Sequence, residues 1–189
     1  MRERAVEILN NHLSTDHLVK HSYAVESVMR ALAERLEPDR VEEWAIAGLL
    51  HDLDSDTLKC YEDQEDMKKH GVEAVNILEK ENFGNDYIYH AIKAHNEENG
   101  TERLNTIDKA IYAADPITGF ITAITLVYPD KKLSSVKVKS ITKRMKEKRF
   151  AAGANRDAMN SIEEVGIEFP EFAELALEAM RGISNKLEL

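Results

Sequence analysis

His51 and Asp52 close an apolar run, Ala45-Ile46-Ala47-Gly48-Leu49-Leu50, with further carboxylates at Asp54 and Asp56. An acid at the negative C-terminal end of a helix is unfavourable unless something offsets it, and a bound cation is the simplest candidate. Other histidines and acids fall on buried stripes in the same way. His21 is in line with Val25, Met29 and Leu32, and His70 precedes Ala74 and Ile77. His95 follows Ile88, Ala91 and Ile92, and Asp115 follows Ile107 and Ile111. Buried ionisable groups are costly unless paired or bound to metal, and one shared metal centre would satisfy all of these together. Histidine and carboxylate donors without thiolate suit Mn, Fe, Co, Ni, Mg or Zn better than a structural zinc site.

The elements that must position them are helical. Apolar spacing predicts helices over about 2–12, 16–36 and 38–51, the last opened by Pro38 in a first-turn position. An acidic loop or irregular helix follows over 54–66, then helices at about 67–81, 85–98 and 103–114. Pro116 should bend the chain before a segment running from Ile117 to Tyr128. Beyond Pro129 a Lys/Arg-rich segment covers Ser134 to Phe150, with an alternative short strand near 135–139 and closing helices at 155–165 and 170–187. The expected architecture is all-α: one domain over 1–189, a compact core over about 16–128 and a C-terminal helical extension from about 129.

Composition narrows the function classes. A net charge of −10 argues against general nucleic-acid or membrane-surface binding. The single cysteine, Cys60, excludes an internal disulfide framework, and its acidic surroundings should raise the thiol pKa. With no apolar signal core and no stretch read as long enough to span a bilayer, the expected location is the cytoplasm. Oligomeric state is open.

Each candidate also has a plainer role. A lone inward His21 could be a hydrogen-bonded core residue, Asp115 could cap the helix after Pro116, and His70 could be an exposed first-turn residue. Asp54 and Asp56 read as solvated loop acids, His90 as structural or supporting, and His12 and His17 as surface residues.

The ordered set His21, His51-Asp52 and Asp115 resembles the HD-domain metal-dependent phosphohydrolase superfamily. The segments HGVEAVNIL from His70 and AIKAHNEENG through His95 are similar to the additional histidine segments of its binuclear branches. IDKAIYAADPITGF resembles the segment that carries the last Asp. Two departures are visible. HDLDSD lacks the Ile-Gly-Lys that often follows the pair, and Asn96 stands where some binuclear members have a second His.

The resemblance implies a helical HD bundle in which His21, His51, Asp52 and Asp115 bind a divalent metal. If His70 and His95 hold a second ion, Asp52 is the natural bridge between the two. With one metal, Asp56, His70 or His95 would have to serve as general base. The expected activity is hydrolysis of a phosphoester or phosphoanhydride in a small phosphorylated substrate, a nucleotide or dinucleotide. Nine Lys and Arg residues between 131 and 149 face one acid, Glu147, so this segment could clamp phosphate oxygens or simply be a solvated face. Lys143, Arg144, Arg149 and Arg156 are the residues expected to contact substrate. The alternatives from other classes are a non-catalytic HD module that senses a ligand and a di-iron oxygenase on an HD core.

Overall fold

Two helices that approach unusually closely form the centre of the bundle: α2 (Asp16–Leu36) and α3 (Val41–Leu50). Gly48 permits the approach. A Cβ there would lie 2.9 Å from both Met29 Cγ and the Val25 carbonyl oxygen, closer than real side-chain atoms come. The computed structural model describes residues 1–59 and 63–189, so Cys60 and its thiol lie outside the described residues. Among those described, every regular element is helical.

α1 (Arg2–His12) buries Ala5, Ile8 and Leu9 against α3, and a 3-10 turn at Pro38–Arg40 leads from α2 into α3. α3 is buried from Trp44 through Leu50, so its pattern is nearly continuous rather than amphipathic. Fully burying each such large apolar side chain contributes about 1.5–3 kcal/mol, which makes this element a natural place to anchor ligands.

The segment expected as one helix over 67–81 is two: α4 (Gln64–Lys69) and α5 (Val72–Lys80). The break falls at His70-Gly71, where Gly71 has φ +84° and an added Cβ would lie 2.9 Å from the Ile92 carbonyl oxygen. α6 (Asp86–Ala94) ends just before His95 instead of running to 98, and a 3-10 turn follows at Glu97–Asn99.

The largest correction concerns Pro116, which lies inside a continuous helix, α7 (Thr106–Val127), rather than between two. Proline removes one helical hydrogen bond and costs about 3 kcal/mol. Here burial of Ile111, Ala114, Ile117, Phe120 and Ile121 on α7 outweighs that. The unbroken run is also long and apolar enough, by length and composition, to cross a bilayer, contrary to expectation. It packs against α2, α3 and α6, and that apolar surface forms the core.

The proposed strand near 135–139 is absent: Leu133–Ser135 is a 3-10 turn and α8 (Val138–Met145) follows directly. The alternating valines serve separate anchors, with Val136 buried ahead of α8 and Val138 packed against the core. α9 (Arg156–Asn160) lies on α7, while α10 (Phe169–Gly182) packs on α2, α7 and α8. α11 (Ser184–Leu187) returns the chain to α2.

Candidate metal centre

Four imidazoles reach one point from four directions, and each ring is oriented from behind. His51, just past α3, places Nδ1 2.8 Å from the Gly48 carbonyl oxygen. His95, just past α6, places Nδ1 2.5 Å from the Ile92 carbonyl oxygen. Carbonyl oxygens only accept, so both Nδ1 atoms carry a proton, and in the neutral ring each Nε2 carries the lone pair. His70 Nδ1 lies 2.7 Å from Asp54 Oδ1, a carboxylate that also only accepts. His21 Nδ1 lies 3.1 Å from Thr118 Oγ1. The one hydroxyl proton of Thr118 goes to the Asp115 carbonyl oxygen at 2.9 Å, so His21 must be the donor.

All four Nε2 atoms therefore face the two carboxylates and each other. His21 Nε2 is 3.0 Å from Asp115 Oδ1 and 3.7 Å from Asp52 Oδ2. His51 Nε2 is 3.4 Å from Asp52 Oδ1 and 3.8 Å from Asp115 Oδ1. His70 and His95 approach Asp52 Oδ1 at 3.2 and 3.7 Å. The His70 and His95 Nε2 atoms face one another at 3.1 Å. Two neutral Nε2 atoms at that separation repel unless a proton or a metal ion stands between them, and the buried Nε2 of His51 has no hydrogen-bond partner among the described residues. Positive charge, from a proton or a metal ion, resolves both.

Within these residues, three sets of donor atoms each lie within 4.8 Å of one another: His21 with His51 and Asp52, His51 with His95 and Asp115, and Asp52 with His70 and His95. The site thus fits the divalent metal that its donor chemistry implies, with Asp52 common to the first and third sets. Electrostatics agree. Burial pushes the His51 imidazole down, but the adjacent Asp52 charge and Asp115 more than offset this and raise its pKa to about 9. At His70, burial likewise opposes the charge, and hydrogen bonds to Asp52 and Asp54 carry the pKa up to about 11. His95 is driven the other way, to about 4, by burial and then by the positive charge at His70 and His51. Burial opposes ionisation of Asp52 and Asp115, yet their histidine neighbours hold both well below the usual carboxylate range. The carboxylates call for positive charge, and protons and metal ions compete to supply it at the same Nε2 atoms.

Sequence reasoning missed the orienting groups. Asp54 is fully buried rather than solvated, and its second oxygen accepts the amides of Gly71 at 2.8 Å and Ala74 at 3.0 Å. Thr118 and the two backbone carbonyls carried no readable signal, because a carbonyl has no sequence signature. Asn96 donates to the Met67 and His70 carbonyl oxygens at 2.7 and 3.1 Å, holding the His70 turn. His90 lies 2.9 Å from Asp108, at the start of α7 and apart from the cluster.

A cavity of about 1000 Å³ opens over the cluster, reaching His21, Asp52, His70, His95 and Asp115. Asp56 is at its edge and outside the cluster, with Oδ2 accepting from Ser14 N at 2.6 Å, Ser14 Oγ at 2.9 Å and Thr15 N at 3.1 Å. His17, expected as a surface residue, is exposed and also lines this cavity.

The expected substrate cations are not brought there: none of Lys143, Arg144, Arg149 and Arg156 lines the cavity. Arg144 pairs with Glu147 at 2.5 Å and lies over the Phe150 ring, and Lys143 borders a separate small cavity by the end of α7. Arg149 is exposed. The Arg156 guanidinium donates to the carbonyl oxygens of Ala151, Ala154, Glu147 and Phe150. It thereby shapes the turn whose small residues, Ala151, Gly153 and Ala154, do line the cavity.

No curated protein and no solved structure matches this chain. A sequence model of the HD domain does match, over residues 18–119. That span is more than half of the 189 residues and contains His21, His51-Asp52 and Asp115. The chain belongs to the HD-domain family, a superfamily of the metal-dependent phosphohydrolase type.

Proposed function

We propose that this protein is a metal-dependent phosphohydrolase acting on a small phosphorylated compound of nucleotide size. The observation that carries the reading is the common orientation of four imidazoles: each turns Nδ1 outward to an orienting group and Nε2 inward to Asp52 or Asp115, at the floor of an open cavity. His21, His51, Asp52 and Asp115 would hold one divalent ion, and His70 and His95 with Asp52 a second. Ions bound there would supply an acidified water and neutralise charge on a phosphoryl group.

The chain's own residues do the positioning. Gly48, Ile92, Asp54 and Thr118 hold the protons on Nδ1, which keeps every Nε2 available and every ring fixed. Asp52 and Asp115 supply the negative charge that retains cations. Because His70 and His95 are both turned inward by groups behind them, their role in this reading is ligation rather than proton abstraction. Asp56 joins the loop after α3 to the start of α2. In the reaction, a water oxygen bonds to phosphorus, the P–O bond to the leaving group breaks, and the departing oxygen ends protonated.

The test is turnover of a panel of phosphate compounds by protein reloaded separately with Mn²⁺, Mg²⁺, Co²⁺ or Ni²⁺, with Asp52→Ala alongside. Metal-dependent phosphate release that is lost in Asp52→Ala supports the reading. Bound metal without phosphate release would favour a ligand-sensing module, and iron with oxygen uptake would favour an oxygenase.

A further inference from the structure

The floor of the cavity and its mouth carry opposite charge requirements. Two dications on Asp52, Asp115 and four neutral imidazoles, with the Asp54 carboxylate behind His70, would leave the floor with net positive charge that attracts a phosphate group. Further out the balance reverses. Glu97 and Glu98, exposed on the turn after His95, line the mouth together with Asp56. Among the described residues, Lys20 is the one Lys or Arg that lines the cavity, and its ammonium is already held by Asp16 at 2.8 Å and Glu188 at 2.5 Å. Arg144 and Arg156 are engaged with Glu147 and with backbone carbonyls, away from the cavity. A second or third phosphoryl group on the substrate would therefore meet carboxylates where it needs cations.

Glu97 is also held in place. Its Oε2 accepts the Tyr112 hydroxyl at 2.6 Å, and the Arg103 guanidinium lies 3.8 Å over the Tyr112 ring. The Tyr112 hydroxyl is pushed up to about 12 by its partial burial and by Glu97, so it remains a donor to that carboxylate. A fixed carboxylate at a cavity mouth repels phosphate and accepts hydrogen bonds from hydroxyl or amino groups. The small residues Ala151, Gly153 and Ala154, which also line the cavity, leave space for the body that carries those groups.

We infer that Glu97 and Glu98 are specificity-determining residues. They select a monophosphate ester whose alcohol part carries hydroxyl or amino donors, as a sugar or nucleoside does, and reject di- and triphosphate groups. The inference rests on the phosphohydrolase reading and deepens it.

The experiment is calorimetric titration of the Mn²⁺-loaded protein with inorganic phosphate and with pyrophosphate at low ionic strength. Wild type is compared with the Glu97→Gln/Glu98→Gln double variant, and metal content is measured on the same samples. Glutamine keeps an acceptor for Tyr112, and comparing two proteins under identical conditions cancels chelation of free metal by pyrophosphate. Pyrophosphate affinity should rise about tenfold in the variant while phosphate affinity changes less than about twofold, with the gain shrinking as salt is raised. Equal changes for both anions, or none for pyrophosphate, would overturn the inference and leave the phosphohydrolase reading standing. Binding of neither anion by fully metal-loaded wild type would overturn both.

Discussion

Asp54 Oδ1 accepts the Nδ1 proton of His70 across 2.7 Å, while Oδ2 of the same buried carboxylate accepts two backbone amides that open α5. One side chain thus couples the start of a helix to the orientation of a metal-facing imidazole. The acid just past Asp52 in the sequence is a support for the site rather than a loop charge.

Asp54→Asn tests that coupling. An amide has a single acceptor oxygen, so it cannot serve His70 on one side and the Gly71 and Ala74 amides on the other. The donor left unpaired costs about 1–3 kcal/mol. Affinity for the second ion proposed on His70, His95 and Asp52 should fall about 10–100-fold. Metal titration should then show selective weakening of one class of ion. Equal affinity in both proteins would mean that His70 is oriented without Asp54.

Gly48→Ala tests the close approach of α2 and α3. The added methyl meets Met29 Cγ and the Val25 carbonyl oxygen at 2.9 Å, and a backbone atom cannot swing aside. Overpacking of this kind costs about 1–3 kcal/mol, so the thermal midpoint should drop. Because the Gly48 carbonyl also orients His51, metal affinity should drop with it. An unchanged midpoint would show that the two helices can move apart freely.

Arg156→Ala removes the donors that gather the carbonyl oxygens of Glu147, Phe150, Ala151 and Ala154. The guanidinium also lies 5.1 Å over the Phe120 ring, on the core helix α7. Amide hydrogen exchange in residues 147–155 should accelerate, with α2 and α3 little affected. Lysine should restore protection only in part, since a single ammonium cannot match the planar fork. Wild-type exchange rates in the alanine variant would rule out this role.

Asp56 supplies a pH-dependent contribution. Hydrogen bonds from Thr15 and Ser14 lower its folded pKa from 3.8 to about 2. A depressed carboxyl pKa stabilises the fold above the unfolded value, and the contribution is lost as pH falls from about 4 through about 2. Asp56→Asn should therefore be less stable than wild type at pH 6, and the gap should close towards pH 2. Exposure screens the charge and keeps the gap small. Parallel denaturant titrations at the two pH values measure it, and a gap independent of pH would contradict the assignment.

The residues that could bind metal were legible in the chain because metal ligation needs particular side chains, and burying them leaves a local pattern. His21, His51, Asp52, His70, His95 and Asp115 each sit where an apolar helical stripe would place an inward group. Most helices were readable from period and capping, but the break at His70-Gly71 that divides the segment expected over 67–81 was not. Pro116 misled because its local preference to bend is worth only a few kcal/mol and the packing of α7 outweighs it. Local pattern could not reveal which groups stand behind the ligands. Asp54 differs from a solvated loop acid only through the turn at Gly71, which folds α5 back over it. Nor could it reveal where the basic segment points. Charge along a sequence carries no direction, and only the tertiary packing of α8 and α9 turns Arg144 and Arg156 away from the cavity while Glu97 and Glu98 stay at its mouth.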